Sequence, residues 1–360
     1  MKGDKGKISD LAVRLAEFIR LTSSSLPEDA ERALKRALRR EKKTASPAAT
    51  VLETILANVA LARKNGTPVC QDTGTLTFFV DESLRHKVTP EVLGQAVQLA
   101  TEKGWLRRNT IDSISGKSID TNVCPGAPVV HYIDSRSTDI LAMAGDSRDA
   151  RYSRSSRVAS LSDAASSSSI TRCSRNSRIA SLSDATNSRT SSTSRKSSQP
   201  FAHEITCGSS QISQIALLMK GGGSENMSCQ FSLPDAALGA GRDLEGVRRA
   251  VLAAVQRAQG FGCAPGILGV SIGGDRASGF EEAKLQLLRN LDDTNADPQL
   301  ARLERRILRE ANTLGIGPMG LGGKTTLLAV KIGSRPRVPA SFFVTVAYLC
   351  WAARRRTLTL

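Results

Sequence analysis

The chain has 360 residues, enough for one large domain or two ordinary ones, and its 40% hydrophobic content is sufficient for a proper core. No apolar run reaches the length of a bilayer-spanning helix; the longest candidate, 342–353, is too short and runs into Arg354-Arg355-Arg356. The formal charge of +16 suits nucleic acid or an anionic substrate, but aromatic residues are few (4%) and do not interleave with Lys/Arg as single-strand binding requires.

Seven cysteines, at positions 70, 124, 173, 207, 229, 263 and 350, are an odd number spread along the chain. The charged start, Met1 to Lys7, leads into no apolar signal core. Both features predict a cytoplasmic protein with reduced thiols, some of them metal ligands, rather than a disulfide framework.

In chain order, Ile8, Leu11, Leu15, Phe18 and Ile19 recur at helical spacing. Pro27 and Pro47 each open a further helix, and the second stops at Arg63-Lys64-Asn65-Gly66. Cys70 then falls on a loop before a β-rich run, 75–80. A helix is expected over 90–103, a strand ends near Tyr132, and another runs through 215–219. A helix over 245–259 ends at Gly260, a loop carries Cys263, and 267–272 is a short buried strand. Helices over 279–291 and 298–314, with β-rich runs at 325–332 and 343–348, complete a mixed α/β pattern with a helical N-terminal portion. Cys350 follows the last run.

The segment 134–199 departs from this grammar. It is dominated by Ser and Arg, and its 11 Lys/Arg against 6 Asp/Glu supply 5 of the 16 excess charges. The stretch 153–164 returns almost unchanged 21 residues later, as 174–185. Such a composition cannot bury enough surface to fold alone, so a disordered insert is expected between 1–133 and 200–360, which form one domain. The alternative is a phosphorylatable or nucleic-acid-binding Ser/Arg module.

Three cysteines on separated loops offer no Cys-x-x-Cys pair and no zinc spacing. Three thiolates can hold an iron–sulfur cubane and leave one iron open, although buried free cysteines also serve as small apolar residues. The segment 317–326 resembles a phosphate-binding loop, but its first glycine is one residue too far from Gly323-Lys324-Thr325 and a β-rich run follows, so an ATPase is rejected. His86, His131 and His203 show no metal spacing.

Several motifs occur together and in order: Cys70-Gln71-Asp72-Thr73-Gly74, Lys220-Gly221-Gly222-Gly223-Ser224-Glu225-Asn226, Cys263-Ala264-Pro265, Ile272-Gly273-Gly274, Gly322-Gly323-Lys324 and Cys350-Trp351-Ala352. In this order they resemble the α region of the class I fumarase and L(+)-tartrate dehydratase family, from about residue 8 onward apart from the Ser/Arg segment. The resemblance implies a [4Fe-4S] cluster on Cys70, Cys263 and Cys350, with Cys124, Cys173, Cys207 and Cys229 as non-ligands. It implies substrate contact and proton-transfer roles for Gln71 and Asp72. It also implies a carboxylate-binding arginine at Arg107, with Arg108 as the alternative, and a backbone contact at Gly223. The implied reaction is reversible dehydration of a 2-hydroxy dicarboxylic acid, with a β subunit supplying the base and the αβ units pairing as dimers. Membrane and nucleic-acid partners are not expected. Val338 stands where the family usually has a histidine, so a catalytically impaired homologue is the rival within the class.

Overall fold

The computed structural model describes residues 8–43, 47–134 and 213–360. All belong to one compact unit. Apart from Asp134, the Ser/Arg segment lies outside the described residues, as do Cys173, His203 and Cys207.

The helix signals are local and hold well. Helix α1, Asp10–Ser24, starts where the Ser9 hydroxyl accepts from the Ala12 N–H. Pro27 and Pro47 occupy the N-cap positions of α2, Glu28–Glu41, and α3, Ala48–Asn65; Gly66 ends α3 in the left-handed region at φ 66°. Thr89 caps α4, Pro90–Glu102. The Gly-rich motif contains a single short turn, α5, Gly222–Asn226. Asp243 caps α6, Leu244–Ala258, and Asp297 caps α8, Pro298–Thr313. Helix α7, Arg276–Gln286, begins three residues before the expected 279, because Asp275 and Ser278 form a reciprocal capping box.

Two four-stranded sheets carry the core. The first has the order β2-β1-β3-β8, with β1 Thr75–Asp81, β2 Val129–Ile133, β3 Gln214–Lys220 and β8 Arg354–Thr359. The second has the order β4-β7-β5-β6, with β4 Cys229–Ser232, β5 Gly266–Gly273, β6 Leu327–Arg335 and β7 Phe343–Leu349. Both faces of each sheet are buried. Phe78, Val80, Leu217 and Met219 face a core built with α1 and α4. The alternate residues Phe79, Ala216 and Leu218 share a second core with Ile267, Ala347 and Leu349 of the other sheet. Val344, Val346 and Tyr348 face a third, under α6 and α8. The apolar run at 342–353 thus contains an internal strand, Phe343–Leu349, and no described helix is long and apolar enough to cross a membrane.

Strand β2 runs parallel to β1 with Ile133 opposite Asp81; β3 runs antiparallel with Ile215 opposite Val80. The two ends that flank the Ser/Arg segment therefore lie on either side of the same end of β1, about 10 Å apart at the usual strand spacing. About four residues would span that gap, and a long loop costs only about 0.6 kcal/mol more per doubling of its length. Replacing residues 135–212 with a four-residue Gly/Ser linker is expected to leave a folded protein that melts no lower than the parent. A calorimetric melt checks this, and loss of the cooperative transition would show that the segment supplies needed contacts.

Candidate functional site

Cys70 lies between α3 and β1, and Cys263 between α6 and β5. Cys350 directly follows β7. Strands β5 and β7 are antiparallel with Ile267 opposite Leu349, which brings the last two cysteines to the same end of the second sheet. The Trp351 N–H donates to the Cys263 carbonyl at 3.2 Å, tying the two loops together. Cys263 holds a left-handed backbone at φ 55°, a conformation that costs a non-glycine residue roughly 1–3 kcal/mol.

The three thiols are free, and each lies in the electrostatic reach of another. Burial pushes the Cys350 thiol up to about 11; Arg354 pulls it down, and Cys263 and Cys70 push it further up. Burial also raises Cys263, with Cys70 and Asp72 adding to it. Cys229 is raised to about 11 by burial with no other cysteine among the causes, and Cys124 closes a small bridge with Ala127. Neither joins the group.

Asp72 is held on three sides. Its Oδ1 accepts from the Gly74 N–H at 2.8 Å and its Oδ2 from the Gly222 N–H at 2.7 Å. Its carbonyl accepts from Arg354 Nη1 at 2.7 Å, and its own N–H points at Cys70 Sγ, 3.5 Å away. Gly74 makes this approach possible: at φ 73°, an added Cβ would lie 2.4 Å from the Lys220 carbonyl oxygen. The exposed Gln71 accepts at its carbonyl from Asn109 Nδ2 at 3.2 Å. Thr73 Oγ1 donates to the Arg107 carbonyl at 2.7 Å and accepts its N–H at 2.9 Å, so the strand of loop carrying Arg107 is fastened to the Cys70 loop while its guanidinium is exposed. Gly223 is exposed in α5 and faces the loop of Cys263, 3.8 Å from Phe261 O at the position of a Cβ.

Cations line the buried side. Burial pushes the Lys220 ammonium down to about 8 against the pull of Glu225. Lys220 Nζ pairs with Glu225 and donates to Ser228 Oγ at 2.9 Å, while Lys284 meets the same carboxylate at 2.9 Å. Arg354 is only 1% exposed. Sequence reasoning missed Arg354: the arginine triplet after Cys350 read as a polar end to an apolar run. Lys220 stood at the head of a quoted motif, but nothing local showed that its charge is buried.

The segment 315–324 supports this site from behind. The Met319 N–H donates to the Ala264 carbonyl at 2.9 Å, and the Lys324 N–H donates to the buried Glu41 carboxylate at 2.8 Å. β6 follows it, where a β-rich run is expected at 325–332. Val338 sits elsewhere. It is 66% exposed before β7, at the opposite end of that strand from Cys350, on the order of 20 Å away at strand rise. Gly273 and Gly274 share that far end, where Gly274 N–H meets Arg335 O at 3.3 Å.

Among the described residues, no three His, Cys, Asp or Glu side chains converge on a point where one metal ion would sit. A cubane makes a different demand, since each thiolate binds its own iron and the three surround a cage. Three free thiols from separate loops, with a buried guanidinium beside them, match that donor set.

The family model described as fumarate hydratase (fumerase) matches residues 13–146 and 148–359. A Geobacillus stearothermophilus protein assigned as a class I fumarate hydratase is 37% identical over 339 residues, covering 93% of this chain and 52% of its own length. The chain thus spans about half of that relative. It is 28% identical over 355 residues to a Methanocaldococcus jannaschii protein assigned as L(+)-tartrate dehydratase subunit alpha, covering 97% of this chain and 96% of that one. The L(+)-tartrate dehydratase subunit alpha of Escherichia coli K12 is 25% identical over 354 residues, covering 98% and 91%. With nearly its whole length matched, this chain belongs to the class I fumarate hydratase family.

Proposed function

We propose that this chain is the α part of a hydro-lyase that reversibly removes water from a 2-hydroxy dicarboxylic acid, with a [4Fe-4S] cluster on Cys70, Cys263 and Cys350. The observation that carries this is three free thiols on three separate loops, each under the electrostatic influence of another, with the buried Arg354 acting on Cys350. A bound cluster with three protein thiolates supplies one Lewis-acidic iron, which eases departure of hydroxide.

The chain's own residues would bind and orient the substrate. Arg107, exposed and anchored through Thr73, presents a planar fork suited to a carboxylate. Both Asp72 oxygens are fixed by backbone N–H groups, so this carboxylate cannot swing, and it aligns Gln71 and the Cys70 loop. Gly223, without a side chain, leaves a backbone N–H open to close approach. The base that removes the proton from the adjacent carbon comes from a β subunit. The names of the tartrate dehydratase relatives, which are α subunits, support such a partner. The resemblance to the family further implies αβ units pairing as dimers. Residues 1–133 and 200–360 form this catalytic domain, and 134–199 is an insert.

Anaerobic reconstitution followed by iron and sulfide analysis tests the reading. The expected result is a cubane that loses one iron on mild oxidation and then gives a three-iron paramagnetic signal. A folded protein that takes up neither iron nor sulfide would refute it.

A further inference from the structure

Two neighbouring arginines on β8 have opposite fates. Arg355 is buried and paired with Asp29, with both side chains 5% exposed. Arg354, on the other face of the strand, is buried more deeply, and among the described residues no carboxylate pairs with it. Its Nη1 donates to the Asp72 carbonyl, but its Nε and Nη2 have no acceptor at all. A guanidinium left in this state has lost its water without gaining partners for those donors, which is unfavourable. Its surroundings say what would balance it. Nη2 lies 3.8 Å from the point where a Cβ on Gly221 would stand, beside the Asp72 clamp, and Cys350 is four residues back in the chain.

We propose that Arg354 is a positioning residue for the iron–sulfur cage, donating from Nε and Nη2 to its sulfur atoms and neutralising its negative charge from the buried side. This rests on the cluster reading above. A cubane bound by three thiolates is a net anion, and charge-assisted donors to its sulfurs stabilise it where water is excluded. Lys220 is already engaged, since Glu225 and Ser228 take two of its three N–H donors, whereas two of the guanidinium nitrogens of Arg354 have no acceptor.

The test compares the full-length parent, Arg354→Met and Arg354→Lys after anaerobic reconstitution, following iron retained under a chelator challenge and the paramagnetic spectrum. Outer-shell partners of metal ligands typically govern affinity by 10- to 100-fold, so Arg354→Met is expected to lose iron roughly 10 to 100 times faster. Arg354→Lys keeps the charge and recovers part of that loss. Melting of the cluster-free forms separates this role from a structural one: without the cage the charge has no partner, so cluster-free Arg354→Met is expected to melt no lower than the cluster-free parent. Retention equal to the parent's would overturn the proposal. So would a cluster-free Arg354→Met that melts clearly lower, because Arg354 would then serve to hold the Asp72 loop. A parent that binds no iron would instead remove the cluster reading itself, and this inference with it.

Discussion

Cys263→Ser is expected to reduce iron bound after anaerobic reconstitution by about 100-fold or more, while Cys124→Ser leaves it unchanged. Outer-shell changes alone cost 10- to 100-fold, and a serine hydroxyl is a hard, protonated group where iron requires a soft thiolate. The control is well matched, since both cysteines are half-buried and free. Their settings differ: Cys263 is under the influence of Cys70 and Asp72, whereas Cys124 closes a surface bridge with Ala127. The left-handed backbone at Cys263 is no easier or harder for serine, so a folding defect should not confuse the result. Iron assay against a protein standard decides it. Equal loss from both variants would break the ligand assignment.

Asp29→Asn should destabilise the fold by about 3–5 kcal/mol at neutral pH, the usual cost of stranding one member of a buried ion pair. Arg355 would be stranded among the carbonyls of Leu287 and Arg289, to which it donates at 2.8 and 3.1 Å. Asp29 also accepts from the Leu291 N–H at 2.7 Å, so one carboxylate joins α2, the turn after α7 and β8. Burial alone would raise the Asp29 carboxyl, but the Arg355 charge and hydrogen bonds outweigh it and hold the carboxyl below its ordinary 3.8. The contribution is therefore complete above pH 3.8 and disappears as pH falls through the lower folded value. Urea unfolding at pH 7 and at successively lower pH checks both parts: the gap between parent and variant should be wide at pH 7 and should close progressively as pH falls below 3.8.

What the sequence discloses follows from how local each cause is. Helix starts were legible where Pro27 and Pro47 act within one turn of themselves. Buried strands were legible at 75–80 and 343–348 as β-branched and aromatic runs. β8 was missed, since Arg354-Arg355-Arg356 looks solvated until Asp29, more than 300 residues earlier, is brought against it. β4 is four residues long and gives too little pattern. At the site, motif order pointed to the three cysteines, yet their mutual reach depends on the β5–β7 register, which no local feature encodes. Val338 drew notice only through resemblance. Within one chain it stands apart from the thiols, so its identity does not disturb their arrangement.

The three thiols come from both sheets. Cys263 and Cys350 hang from the end of the second sheet, while Cys70 leads into β1 of the first, and only Trp351, Ala352 and Ala353 separate Cys350 from β8. A cage gripping all three thiols would act as an inorganic rivet through the seam between the sheets. Oxidative loss of that rivet would then do more than switch off chemistry. It would take one tie from the Cys70 loop, leaving the Asp72 and Thr73 hydrogen bonds to hold it alone, and so add a mechanical injury to a chemical one. An oxygen-damaged molecule would thereby announce itself to proteolysis by its own slackness.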